Sequence, residues 1–93
     1  MTHLPETIPE LITVLLEMVN LETSTLEQAQ LAQSQCLALV RHLQGSPLCA
    51  EVDEYVWHYL SDADIRFKDS EYAHKQRTEL RALLTDWRRE LAQ

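Results

Sequence analysis

Glycine is almost missing from this chain, and its absence excludes a good deal. Gly45 is the one glycine, and Pro5, Pro9 and Pro47 are the only prolines, so nothing after residue 47 carries a strong backbone breaker. A chain with a single glycine has no Gly-rich loop in which to cradle a phosphate. No segment alternates β-branched and polar residues between turn residues, so a sheet is excluded and the class is all-α. Cysteine is scarce too. Cys36 and Cys49 fit no zinc-ligand spacing and are too few for a disulfide scaffold, so buried free thiols are expected, with a helix-to-helix disulfide as the alternative.

Long apolar runs are also lacking. The longest, LITVLLEMV at 11–19, is interrupted by Glu17 and falls well short of the roughly 20 residues a membrane span requires. In MTHLPETIPE, Glu6 and Glu10 stand where an export signal would carry Lys or Arg. The expectation is a cytoplasmic protein without membrane contact. Positive charge is sparse: eight Lys and Arg face fifteen Asp and Glu, for a net charge of −7. Residues 1–64 hold ten acids against one base, Arg41, whereas residues 65–93 hold seven bases against five acids. The two parts can attract within a chain or between chains. The acidic whole disfavours nucleic acid, because phosphate binding needs clustered bases.

What is present is ordinary globular usage, 45% hydrophobic and 25% charged, which argues for folding rather than disorder. The length suits one domain, 1–93, burying about 60–65% of the surface its unfolded chain exposes.

Four helices are predicted, over about 8–21, 25–44, 47–60 and from 62 or 70 to 91. Thr7 serves as N-cap of the first, with Pro9 tolerated in its opening turn. Ser24 and Glu27 read as a capping box for the second, which stops at Gly45 in a left-handed C′ position. Within it Leu26, Ala29, Gln33, Cys36, Val40 and Leu43 recur at heptad spacing, with Gln33 setting register. Ser46 and Pro47 start the third helix, whose stripe is Leu48, Val52, Tyr55, Val56, Tyr59 and Leu60. The fourth carries Tyr72, Gln76, Leu80, Leu83, Leu84, Trp87 and Leu91 on one side.

The stretch SDADIRFKDSEY, 61–72, alternates apolar and polar residues but has no strand to pair with. As a calcium loop it fails, with Arg66, Phe67 and Ala73 at positions that need an oxygen ligand, Gly and Glu. As helix it falls into order: Asp62 with Arg66 and Asp64 with Lys68 form i,i+4 pairs, and Asp69 or Ser70 can cap the next helix. It reads as a helical joint, either a separate short turn or the start of one long kinked helix.

For chemistry, Glu54, His58 and Asp62 form an i+4 row that could face a metal, yet no inward carboxylates on the first two helices match it, and a solvated face is the better reading. His3, His42 and His74 are scattered, and neither cysteine has a local base to activate it. No catalytic residue, cofactor or metal is assigned, and a non-enzymatic role is expected.

The first helix carries the most apolar surplus. Seven of the nine residues 11–19 are apolar, more than a single buried stripe needs, which predicts that something outside the monomer covers them. Leu11, Leu15, Leu16 and Val19 are the candidate contact residues, with Trp57 and Trp87 either core anchors or the centre of an interface. The whole is expected to be an antiparallel bundle of three to four helices with a long C-terminal helix, forming a dimer or docking another protein as an adaptor, chaperone-like or regulatory module. An acidic rim would select a basic partner surface. The alternative is a nucleic-acid-binding regulator using Lys75, Arg77, Arg81 and Arg88 of the last helix.

Overall fold

The computed structural model describes residues 4–20 and 25–92. Its helices are α1 (Ile8–Val19), α2 (Leu26–Gln44), a 3₁₀ turn (Pro47–Glu51), α3 (Glu54–Ser61), α4 (Ala63–Lys68) and α5 (Ser70–Leu91), and the described residues contain no strand. They pack into a body of 38 × 25 × 20 Å.

The starts of these elements reflect local chemistry. Thr7 Oγ1 accepts from Glu10 N, and the Glu10 carboxylate reaches back to Glu6 N, so two amides of the α1 entry are satisfied at once. The α2 capping box is Thr25 with Gln28, each side chain accepting from the other's amide at 3.1 and 3.2 Å. The expected pair lay one residue earlier, and Ser24 and Leu21 are outside the described residues. Gly45 has φ −96° and ψ 8°, so α2 ends without the left-handed cap.

The expected helix over 47–60 is broken. Ser46 and Pro47 start a 3₁₀ turn, Val52 and Asp53 are extended, and α3 begins anew at Glu54. Asp53 causes the restart: its carboxylate accepts from Tyr55 N at 2.8 Å, which favours an N-cap over a helical interior. The stripe nonetheless reaches the core, because both pieces turn the same side inward. Leu48, Val56, Tyr59 and Leu60 are buried, and Val52 and Tyr55 pack against them. The joint reading of 61–70 is met by α4, which stands as a separate turn and a half, with Asp69 capping α5 through Tyr72 N.

One cluster holds the core. Leu11, Ile12, Val14, Leu15, Met18 and Val19 of α1 meet Cys36, Leu39 and Leu43 of α2, Leu48 of the 3₁₀ turn, Val56, Tyr59 and Leu60 of α3, and Leu80 and Leu84 of α5. The heptad seam expected on α2 is rotated: Gln33 and Leu26 face outward, and Leu39 replaces them inside. His42 Nε2–H donates to Pro5 O at 2.6 Å and ties the segment before α1 onto the end of α2.

Candidate functional site

The contact residues expected on α1 lie inside the monomer. Leu11 and Leu15 are 0% exposed and Val19 1%, while Leu16 is partly buried against the same cluster. The expectation that an outside surface must cover this helix is corrected by the chain itself: α5 lies along α1, and its Leu80 and Leu84 join the buried side of α1 in one cluster with Cys36, Leu39 and Leu43 of α2 and Val56, Tyr59 and Leu60 of α3. Trp57 and Trp87 remain half-buried at the edge of the core.

Trp87 has a distinctive setting. With Leu83 one turn earlier it floors an open cleft of about 300 Å³ between the C-terminal half of α5 and the 3₁₀ turn, and Glu51, Asp53, Asp86 and Glu90 stand around it. Two of these carboxylates have local partners. Asp53 caps α3, and Asp86 accepts from Arg89 at 3.4 Å in a pair exposed on both sides. Such an exposed pair contributes little, so the rim stays strongly acidic. An indole and a leucine that line one cleft with four carboxylates suit a cationic side chain on an apolar stem, which can lay its stem against the apolar pair and its charge against the carboxylates. Trp57 does not line this cleft.

The second concentration of polar chemistry surrounds Arg66, which the sequence pairs with Asp62 at i,i+4 spacing. It is buried, 7% exposed, and its guanidinium donates to Tyr59 O and to Gln76 Oε1 (2.9 Å), approaches Cys36 Sγ at 3.9 Å, and lies 3.6 Å from the centroid of the Tyr59 ring. Asp62 instead accepts from Tyr72 Oη at 2.7 Å and from Gln76 Nε2 at 3.0 Å. Gln76 thus sits between the cation and the anion and serves both. The signal available in the sequence was Gln76 itself, a polar residue on the apolar side of the last helix that required a buried partner.

This network fixes protonation states. Burial pushes the Cys36 thiol above its ordinary value, outweighing the nearby Arg66 charge that pulls it down. The hydrogen bond to Asp62 raises the Tyr72 phenol, and burial, followed by Glu79, raises that of Tyr55. These tyrosines share with His58, Asp62, Lys75 and Glu79 a second open cleft of about 300 Å³. Its phenols stay protonated near neutrality, so they can donate hydrogen bonds but do not act as bases. His58 lies 3.8 Å from Glu54, both well exposed, and the described residues hold no group of three His, Cys, Asp or Glu placed to bind a metal.

The four basic residues considered for nucleic acid do not share one free face. Lys75 lines the second cleft, and Arg77 is half-buried beside Met18, Ala29, Cys36 and Arg66 in a pocket of about 20 Å³. Arg81 donates to Asn20 Oδ1 at 2.9 Å, and Arg88 is exposed. None of the described helices is long and apolar enough to cross a membrane. Compared with known proteins, the chain matches no family model, no curated protein and no solved structure.

Proposed function

We propose that this chain, as an antiparallel helical bundle, is a small acidic interaction module that holds a basic segment of another protein in the cleft floored by Leu83 and Trp87. The observation that carries the reading is the half-buried indole that lines one cleft with Glu51, Asp53, Asp86 and Glu90. An arginine or lysine laid on it gains a cation–π contact and buries its aliphatic stem, while the carboxylates speed encounter and reject acidic partners. The module works by binding and carries out no reaction. Free Cys36 and Cys49 suit the reducing cytoplasm, where we place it.

Nucleic acid is the weaker alternative, because Arg77 and Arg81 are engaged within the chain and Lys75 faces elsewhere. The test is a titration of a dye-labelled Arg/Leu peptide and of its Glu/Leu counterpart, read by fluorescence anisotropy of the peptide label, against wild type and against Trp87→Phe plus Glu90→Gln. Binding of the basic peptide alone, weakened by salt and by the double variant, supports the reading. Equal response to both peptides, or none to either, ends it.

A further inference from the structure

The outer side of α2 is unlike the rest of this surface. Between Glu27 and Arg41 run thirteen residues, QAQLAQSQCLALV, without a single Asp, Glu, Lys or Arg, in a chain of which a quarter is charged. Leu26, Leu31 and Leu37 stand 61%, 56% and 50% exposed, and Gln30, Gln33, Ser34 and Ala38 are exposed among them. At 3.6 residues per turn, Leu26, Gln30, Gln33 and Leu37 make one stripe and Leu31 and Ala38 a second beside it, away from the buried Cys36, Leu39 and Leu43. A helix that only faces solvent carries charge on this side. Depletion of charge with retained leucine is the composition of an interface centre.

We propose that this face docks a second copy of the same chain, α2 against α2 about a two-fold axis. Charge favours a copy over other partners. With a net charge of −7, two molecules repel wherever their acidic surfaces meet, and the uncharged face of α2 removes that penalty while giving a charged partner nothing to hold. The polar groups are self-complementary as well, because the amides of Gln30 and Gln33 each donate and accept, so identical faces can satisfy one another.

Area sets the strength. The thirteen uncharged residues 28–40 measure about 20 Å along the helix, and a contact about 10 Å wide covers roughly 200 Å² in projection and on the order of 350 Å² of accessible surface per copy. A standard stable interface buries about 800 Å² per partner, so this pair is weak and forms as concentration rises.

Sedimentation velocity from about 10 µM to about 1 mM protein, a range that brackets weak association, tests it in wild type and in Leu31→Glu plus Leu37→Glu. Both positions are exposed, so the variant keeps its helix content and melting temperature, and the peptide cleft is untouched. The expected result is a wild-type mass rising from 10.8 kDa toward twice that value, with the variant monomeric throughout. Raising salt from about 0.05 M to about 0.5 M strengthens the wild-type pair, because it screens like-charge repulsion around an uncharged contact. A wild type that stays monomeric to the highest concentration overturns the proposal, and so does a dimer that survives the double substitution. A dimer that salt dissolves overturns it too, by pointing to the acidic and basic parts of the chain as the contact.

Discussion

Leu15→Ala separates a core residue from an interface residue. Leu15 is 0% exposed within one chain and lies in the cluster that joins α1 to α2, α3 and α5. Truncation removes three carbons' worth of buried surface, about 2.4 kcal/mol at about 0.8 kcal/mol per methylene. The cavity left behind adds to that, so the expected cost is about 3–4 kcal/mol. For a domain of this length, whose whole stability is about 5–14 kcal/mol, that is a large fraction. At about 4–8 °C per kcal/mol the midpoint falls by more than about 12 °C. Far-UV circular dichroism with heat and with urea measures it, at low micromolar protein, below the range in which the proposed α2 pair would form. Had α1 been an external contact, the same substitution would lower association and leave the monomer's midpoint nearly unchanged. A loss below about 1 kcal/mol refutes the placement of α1 as the centre of the monomer.

Arg66→Met removes the donor to Gln76 Oε1 and one of two donors to Tyr59 O, which keeps Asp62 N at 3.4 Å, and should cost about 2–3 kcal/mol by urea denaturation. Arg66→Met with Gln76→Leu should cost less than the two single changes added, because the groups share one network, and strict additivity would deny the coupling. Asp53→Ala removes the N-cap of α3 for about 1 kcal/mol, and an unchanged urea midpoint would mean that the restart at Glu54 has another cause. For pH, the Cys36 thiol is raised by burial, so its contribution to stability is present below its ordinary value of 9.0 and is lost as pH rises from there through the folded-state value. Stability should therefore decline above about pH 9, less steeply in Cys36→Ala, and a thiol reagent at neutral pH should modify exposed Cys49 well before Cys36.

The legible parts of this fold were those in which one local interaction decides the outcome. Thr7 and Asp69 cap α1 and α5 as their side-chain chemistry requires. The joint at α4 forms as expected, but without the Asp62–Arg66 pair that suggested it, since Asp62 and Arg66 each bond elsewhere. The misreadings have two causes, one local and one tertiary. The run from Pro47 to Leu60 has continuous helical periodicity, but Asp53 offers its carboxylate to Tyr55 N, and the cap prevails over the periodicity. On α2, Leu26 and Gln33 share a heptad register with Cys36 and Leu43, whereas burial tracks Leu39, a rotation that only the neighbouring helices determine.

Arg66 shows why the candidate sites were harder to read than the fold. Its spacing from Asp62 describes an i,i+4 pair, and its fate depends on Tyr59, Gln76 and Cys36, which lie seven, ten and thirty residues away. The same dependence on distant sequence governs α1. Its apolar surplus was real and correctly located, but whether a surplus faces a partner or a core is settled by how many other segments return to it. Here the long helix α5 returns along α1 with Leu80 and Leu84, so the apolar face that reads most like a docking surface became part of the core of the monomer. What remains exposed is set by charge instead: an indole among carboxylates at one end of α5, and a charge-free helix flank on α2. On the two proposals made above, the first would select by attraction and the second by the absence of repulsion, so opposite responses to salt would tell the two surfaces apart.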